Sequence, residues 1–283
     1  MTLQEFHRSS SEPTRVSMGR RSLLAGSAVA VLAGPGCATR SPYVAAGRPI
    51  VLVHGAWHGG WCWQRVTPLL TGAGHRVFTP TLTGLGDRAH LARPDIDVEL
   101  HARDLQALFE MEDLRDVVLV GHSYAGMPMS LLAERLPERL AGLVYFDAFV
   151  PESGKRVIDY IQPPERREAL LKSGRETGFA APVPLQALGV VDAADLEWAQ
   201  PRIVPQPFAS FERPIQLKSP AGNGLPRIFI ACTKPASGSF GQFAATVRNA
   251  PGWRLHELES GHDAMIIDPP RVAELLLAIA REF

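Results

Sequence analysis

Short, mostly apolar runs that alternate with helical patterns dominate the sequence from residue 48 onward. An uninterrupted apolar run rich in β-branched residues is typical of a strand buried on both faces. Such runs occupy residues 49–54, 75–81, 116–120, 140–146, 227–232 and 253–258. Helical patterns occupy residues 61–70, 97–110, 124–136 and 270–283. Repeated strand–helix units form a mostly parallel sheet flanked by helices, so we predict an α/β fold.

The composition fits one such domain. The chain has 283 residues, of which 46% are apolar, enough for a substantial core. Its 29 basic and 29 acidic residues balance, so charge gives no reason to expect a nucleic-acid partner. Three cysteines are too few and too scattered for a disulfide framework or a zinc cluster. No group of His, Asp and Glu has the spacing of metal ligands, so we expect no metal.

The first 42 residues differ from the rest of the chain. Arg20 and Arg21 precede an apolar run at 23–33, and small, turn-forming residues follow it. This order is typical of a signal peptide, and a run of eleven residues is too short to span a membrane. The arginine pair and the modest hydrophobicity of the run favour the twin-arginine type, which exports folded proteins. A frayed N-terminal helix is the alternative.

Removal of a signal peptide on export would change the length and the net charge of the mature chain. Cys37 follows the apolar run where a lipoprotein cysteine would stand, although the preceding residues match that pattern only in part. Cleavage shortly after Cys37 is the simpler alternative to lipidation. Residues 1–42 carry five Arg and two Glu, so residues 43–283 keep 24 basic and 27 acidic residues. We expect an exported protein that is periplasmic, secreted or lipid-anchored and has no membrane span.

Residues 151–222 interrupt the strand–helix alternation. Ten prolines fall in this segment, and no buried-strand pattern does. It also carries large apolar residues such as Trp198 and Phe211, so it can pack, whereas a disordered insertion is the alternative. We predict a helical cap, inserted at about 151–222 into a domain of residues 43–283, over the carboxyl edge of the sheet. Open α/β sheets bind ligands at that edge.

The strongest local signal is VVLVGHSYAG at residues 117–126. A buried strand runs directly into Gly-His-Ser-Tyr-Ala-Gly and then into a helix, which is the context of a nucleophile turn. Gly121 and Ala125, two residues before and after Ser123, meet the need for small residues in so tight a turn. Gly126 then lets the helix pack closely. We predict that Ser123 is a nucleophile whose Oγ is presented at the sheet edge.

A serine nucleophile needs a base and an acid. His262 lies in a loop between the last strand and the last helix, at the edge where Ser123 is expected, so we predict that it is the general base. The usual site for the acid follows the penultimate strand, but no Asp or Glu occurs between Glu212 and Glu257. Asp147 follows the strand before that one, at the same edge. We predict that Asp147 orients His262, with a loop-capping Asp as the alternative.

The oxyanion formed by such a nucleophile needs two N–H donors. The loop after the first strand and the residue after the nucleophile supply them in this kind of site, so we predict the backbone N–H groups of Ala56 and Tyr124. Candidate substrate-pocket residues stand in the same loops: Gly55, Trp57, Phe149 and Met265. Core packing is the alternative role for these large side chains.

Four segments carry a family resemblance: VLVHGAWHGGWCW (51–63), GHSYAG (121–126), LVYFDAFVPESG (143–154) and ESGHDAMIIDPP (259–270). They resemble the α/β-hydrolase branch of plant methylesterases, hydroxynitrile lyases and related bacterial carboxylesterases. The resemblance implies an α/β-hydrolase fold and a cofactor-free Ser-His-Asp enzyme. The position of Asp147 is similar to that in the bacterial carboxylesterases.

The resemblance also separates the candidate functions. Hydroxynitrile lyases of this branch typically carry Thr at the position of Gly55 and Lys at the position of Asp263, which this chain lacks. We therefore expect a carboxylesterase that acts on a small-molecule ester through an acyl-enzyme. A lyase or other non-hydrolytic enzyme on the same triad, and a non-catalytic ligand-binding homologue, are the alternatives.

Overall fold

The computed structural model describes residues 47–235 and 238–283, so the expected signal peptide and Cys37 lie outside the described residues. The strands are β1 Gly47–Val53, β2 His75–Phe78, β3 Val117–His122, β4 Leu140–Phe146, β5 Phe179–Ala180, β6 Gln206–Pro207, β7 Arg227–Cys232 and β8 Trp253–Leu258. The α-helices are α1 Thr67–Gly72, α2 Val98–Met111, α3 Gly126–Arg135, α4 Val157–Tyr160, α5 Pro164–Thr177, α6 Ala193–Ala199, α7 Ala209–Glu212, α8 Gly238–Val247, α9 Ala264–Ile267 and α10 Pro269–Ala280. None of these helices is long and apolar enough to cross a membrane.

Six parallel strands form the main sheet, in the order β2-β1-β3-β4-β7-β8. The predicted α/β fold is therefore confirmed. From β1 the chain moves to one side to form β2 and then crosses to the other side to form β3. Loops leave the carboxyl ends of β1 and β3 in opposite directions at this point, and the crevice between them is where such sheets bind ligands.

The strands are apolar on both faces because both faces are covered by helices. Ile50 and Leu52 point into one core layer and Val51 and Val53 into the other. Helices α1 and α10 pack on the first layer, and α2, α3 and α8 pack on the second. Two acidic side chains fix helix starts: Asp97 accepts a hydrogen bond from Leu100 N and Asp268 from Arg271 N. Aspartate is among the preferred N-cap residues because its side chain satisfies an N–H of the first turn.

The helix predicted at 61–70 is wrong in its extent. A short 3-10 helix covers Gly60–Trp63, and α1 begins anew at Thr67. Pro68 stands in the first turn of α1, where the missing N–H of a proline is tolerated. A proline in the middle of a helix would have removed a hydrogen bond, so the chain starts a second helix there instead.

Residues 151–222 contain the four helices α4–α7, as the prediction of a helical cap requires, together with the antiparallel pair β5–β6. This pair was not predicted, because strands of two residues leave no periodic pattern. The cap contacts the loops at the carboxyl edge of the main sheet: Val204 N donates to Trp57 O, and Asp263 N donates to Leu188 O. It therefore lies against the loops that carry the predicted site residues.

Candidate active site

Ser123 follows β3 directly in a strained turn. Its φ is 55°, a left-handed value that is unusual for a side chain with a Cβ. A Cβ at Gly126 would lie 2.0 Å from Phe149 O, and a Cβ at Gly121 would lie 2.2 Å from Met129 Sδ. Gly126 faces backbone and is therefore required by close packing, whereas the contact at Gly121 is with the flexible end of the Met129 side chain.

His262 and Asp147 are brought together by the structure. His262 Nδ1 lies 2.6 Å from Asp147 Oδ2, and both side chains are buried. The second carboxylate oxygen, Oδ1, accepts from Cys232 N at 3.2 Å, and Asp147 N donates to Ile230 O at 2.7 Å. Asp147 thus sits beside β7 although it follows β4. A carboxylate in this place holds the imidazole with Nδ1 protonated and Nε2 free to accept a proton.

Ser123 Oγ makes no hydrogen bond to another described residue. In serine hydrolases without a bound substrate the contact between serine and histidine is often loose and tightens in the complex. The rest of the arrangement needs no movement, since the imidazole is already held by Asp147.

The backbone N–H groups of Ala56 and Tyr124 are the predicted oxyanion donors, and Ala56 N makes no hydrogen bond to another described residue. A buried N–H without a partner is costly and rare. Ala56 follows β1 and Tyr124 follows Ser123, so the two donors flank the crevice between β1 and β3. They can both donate to an anionic oxygen formed on a carbonyl that Ser123 attacks.

The loop after β1 is tied to the cap through Trp57. Its N–H donates to Gln206 Oε1 at 3.2 Å, its indole N–H donates to Ala180 O at 3.1 Å, and its carbonyl accepts from Val204 N at 3.0 Å. Trp57 also has a positive φ of 66°. Contacts with the cap therefore hold a strained residue next to Ala56.

An aromatic ring packs flat against the imidazole of His262. The Phe240 ring stacks on it with centroids 4.5 Å apart and planes 8° from parallel. Phe149, in turn, contacts Phe240 with centroids 4.9 Å apart. This wall limits the ring rotation of His262 and makes one side of the site apolar.

A second group of ionisable side chains lies behind His262. His58 Nε2 is 3.2 Å from Asp263 Oδ2, and His122 Nε2 donates to His262 O at 3.0 Å. Burial lowers the pKa of His122 well below the usual histidine value, so its ring is neutral. Burial also lowers the pKa of His58, but the charge of Asp263 and its hydrogen bond outweigh burial and raise it.

A family model with the description "Alpha/beta hydrolase family" matches residues 50–275. The chain belongs to the alpha/beta hydrolase family. A carbendazim hydrolyzing esterase from Nocardioides sp. is 39% identical over 238 residues, which cover 81% of this chain and 98% of that protein. Methylesterase 3 of Arabidopsis thaliana is 28% identical over 256 residues, which cover 83% of this chain and 96% of that protein. The resemblance to plant methylesterases seen in the sequence is thereby confirmed.

A solved structure shares the fold of this alpha/beta hydrolase. It is an extracellular alpha/beta-hydrolase from a Paenibacillus species, which is 22% identical. The two superpose with a TM-score of 0.72, over 82% of this chain and 98% of that one. The fold of this alpha/beta hydrolase therefore has a counterpart in a solved structure.

The predicted pocket residues of this alpha/beta hydrolase lie in different surroundings. Gly55 is beside Ser123, since a Cβ built on it would lie 2.9 Å from Ser123 Cβ. Phe149 belongs to the aromatic wall, and Trp57 binds the cap. Met265 is fully buried in the core layer of α10. Their roles toward a substrate stay predictions.

One set of side chains could approach a cation: His122, His262 and Asp263 each place a ligand atom within 4.8 Å of the others. Each of these residues already has a protein partner, since His122 binds His262 O, His262 binds Asp147 and Asp263 binds His58. Two buried atoms of this set, His122 Nδ1 and Asp263 Oδ1, make no hydrogen bond to another described residue.

Sequence reasoning missed two contacts of this site. His58 and Asp263 are 205 positions apart, and Phe240 precedes His262 by 22, so no local pattern joins them. The Asp263 side chain turns toward His58. The sequence feature that could have indicated these contacts was the cluster of histidines in the loops at one sheet edge.

Proposed function

We propose that this chain is a carboxylic-ester hydrolase that uses Ser123 as nucleophile, His262 as general base and Asp147 to orient His262. The observation that carries the proposal is the 2.6 Å contact between His262 and Asp147 in the loops that flank a strained Ser123. Two relatives named as esterases, one 39% and one 28% identical, support the ester as substrate class.

Acylation begins when Ser123 Oγ attacks the ester carbonyl while His262 Nε2 takes the hydroxyl proton. The carbonyl oxygen becomes an anion, which accepts hydrogen bonds from Ala56 N and Tyr124 N. The Asp147 carboxylate stabilises the imidazolium through Nδ1–H. The C–O bond to the alcohol then breaks, and the alcohol leaves with the proton from His262.

Deacylation repeats these steps with water. His262 Nε2 removes a proton from a water molecule, whose oxygen attacks the acyl carbon, and the same two N–H groups hold the second oxyanion. The bond to Ser123 Oγ breaks as His262 returns the proton to it. The carboxylic acid is released, and the enzyme regains its starting state without a cofactor.

The test uses short p-nitrophenyl esters and a fluorophosphonate probe that labels reactive serines. We expect hydrolysis and labelling by the wild type, and a loss of at least about 1,000-fold in kcat for Ser123→Ala. Ser130→Ala is the matched control, because Ser130 lies on α3 and binds only Gly126 O and Tyr145 Oη. It should lose stability but keep labelling. Full activity in Ser123→Ala, or cyanohydrin cleavage without ester hydrolysis, would show that the proposal is wrong.

We also propose that residues 1–42 are a twin-arginine signal peptide and that the working enzyme is exported. The arginine pair Arg20–Arg21, the apolar run and the small residues after it support this. Expression of the full chain in a host with the twin-arginine system should give a mature chain outside the cytoplasm. Its N-terminal mass distinguishes cleavage near residue 42 from lipidation of Cys37. Unprocessed wild-type chain, or unchanged export after R20K/R21K, would contradict the proposal.

A further inference from the structure

Three buried ionisable residues behind His262 take no part in the proposed reaction. His58 is 1% exposed, His122 is 1% exposed and Asp263 is 0% exposed. A charge buried this deeply costs several kcal/mol unless it is paired, on the order estimated for buried ions in general. The chain therefore keeps these groups at a cost in stability that a well-packed apolar cluster would avoid.

The hydrogen bonds fix the protonation of His58. Its Nδ1 lies 2.7 Å from Ala56 O, and because a carbonyl only accepts, Nδ1 carries a proton. Its Nε2 faces Asp263 Oδ2 at 3.2 Å. A proton on Nε2 would make His58 an imidazolium that donates to the Asp263 carboxylate, and the charge and hydrogen bond of Asp263 outweigh burial and raise the pKa of His58. Burial raises the pKa of Asp263, but the charge of His58 outweighs burial and lowers it, which agrees with an ion pair.

This pair joins the two loops that the reaction depends on. His58 holds the carbonyl of Ala56, whose N–H is the proposed oxyanion donor. Asp263 directly follows His262 in the chain. A further contact holds the base loop against the end of β3, since His122 Nε2 donates to His262 O at 3.0 Å. An unbroken series of polar contacts thus runs from the oxyanion loop to the base loop.

We propose that the His58–Asp263 ion pair is a positioning device that fixes the distance between the oxyanion donor at Ala56 and the imidazole of His262. The inference rests on the proposed ester hydrolysis and adds two residues to it that touch no substrate. A displacement of catalytic groups by about 1 Å can lower the rate on the order of 100-fold. A rigid connection between these loops therefore preserves the rate, although burying its charged groups lowers stability.

The first test compares three variants with short p-nitrophenyl esters. Asp263→Ala should lower kcat by about 10- to 100-fold with KM changed less than about 3-fold, because the loss affects alignment and not substrate binding. Asp263→Asn should recover most of this loss, since its amide N–H donates to the Nε2 of a neutral His58. The double variant His58→Ala/Asp263→Ala should lose about as much as one single variant, because both cut the same connection.

A control separates positioning from mere stability. Asp104→Ala removes another well-bonded carboxylate, which accepts from Thr83 N, Thr83 Oγ1 and Arg88. It should lower Tm as Asp263→Ala does but leave kcat within about 3-fold, as expected for a site away from the chemistry. Equal losses of kcat in Asp104→Ala and Asp263→Ala, or a loss of kcat in the double variant far beyond that of Asp263→Ala, would overturn the inference.

A measurement on the wild type covers the case in which Asp263→Ala does not fold. Histidine ¹⁵N NMR at pH 7 should show both ring nitrogens of His58 protonated and His122 neutral. A neutral His58 at that pH would overturn the inference while leaving the ester hydrolase intact. Absence of ester hydrolysis in the wild type would instead remove the proposed function, so the two failures are distinguishable.

Discussion

Gly126 stands where the first turn of α3 passes the backbone of Phe149. A Cβ there would lie 2.0 Å from Phe149 O, whereas Gly241, also in a helix, has no atom within 4 Å of the corresponding position. Phe149 cannot retreat freely, because its N–H donates to Ser123 O at 3.1 Å. Replacement by Ala should therefore change the free energy of unfolding in opposite directions at these two glycines.

We expect Gly126→Ala to lower the free energy of unfolding by about 1–3 kcal/mol or more, the cost of overpacking a tight contact. Gly241→Ala should raise it by about 0.5–1 kcal/mol through helix propensity. Urea denaturation of both variants checks the two signs. A neutral Gly126→Ala would mean that α3 can move away from Phe149.

Asp147 offers a second single-residue prediction. In Asp147→Asn the amide cannot stabilise an imidazolium, and it favours the wrong tautomer of His262, so we expect kcat to fall by about 1,000- to 10,000-fold. Asp268→Asn is the control, because Asn caps a helix about as well as Asp does, and should change neither kcat nor Tm. A loss under about 10-fold in Asp147→Asn would assign the acid elsewhere.

Among the elements, the pair β5–β6 in the cap and the loop after β1 act together through Gln206. Its Oε1 accepts from Trp57 N and its Nε2 donates to Ser210 Oγ at 2.7 Å, in a fully buried position. Gln206→Ala leaves the Trp57 N–H without its acceptor, which costs about 1–3 kcal/mol for a buried polar group, whereas Ser210 Oγ keeps its bond to Pro207 O. The strained Trp57 then loses one of its three contacts with the cap.

We expect Gln206→Ala to lower Tm and also to lower kcat by about 10-fold, since Ala56 moves with Trp57. The exposed Gln216 is the matched control, and Gln216→Ala should stay within about 0.5 kcal/mol of the wild type. Steady-state kinetics and thermal melting of both variants give the comparison. Unchanged kcat in a destabilised Gln206→Ala would confine its role to stability.

The elements differ in how far the sequence predicts them. Strands such as β4 and β7 were predicted with correct bounds, because burial on both faces makes them apolar throughout. Ser123, His262 and Asp147 were predicted from loop position and chain order. The His58–Asp263 contact was not, because it depends on how two distant loops pack, and local pattern carries no information about that.

The molecule as a whole buries several histidines in neutral form. Burial lowers the pKa of His54 to about 3, and burial likewise lowers the pKa of His101 and of His122. The hydrogen bonds of two of these rings are consistent with the neutral form. His54 Nε2 accepts from Leu82 N, and His101 Nδ1 contacts Tyr124 Oη at 2.8 Å. Protonation of either nitrogen would replace an acceptor by a donor.

Stability should therefore fall steeply in mild acid. Below about pH 6.5 the unfolded chain takes up more protons at these histidines than the folded chain does, so each lowers the free energy of unfolding by up to roughly 1.4 kcal/mol per pH unit. His58 has the opposite sign: its raised pKa gives stability that is complete below about pH 6.5 and is lost as the pH rises through the folded pKa.

Urea denaturation between pH 5 and pH 8 checks this expectation. His101→Gln keeps a donor for Thr83 O and removes one titrating group, so it should reduce the acid slope by about one proton. A free energy of unfolding that stays constant from pH 7 to pH 5 would contradict the neutral state of the buried histidines.

The three bonds of Trp57 to the cap have a consequence for protein engineering. A chimera that imports the insertion of another hydrolase would keep Ser123, His262 and Asp147, yet would lose the partners that Gln206, Ala180 and Val204 provide. Specificity and turnover are then not separable modules in this enzyme. A graft intended to change the substrate must bring an acceptor for the Trp57 N–H, and libraries that vary the cap should hold β5–β6 constant.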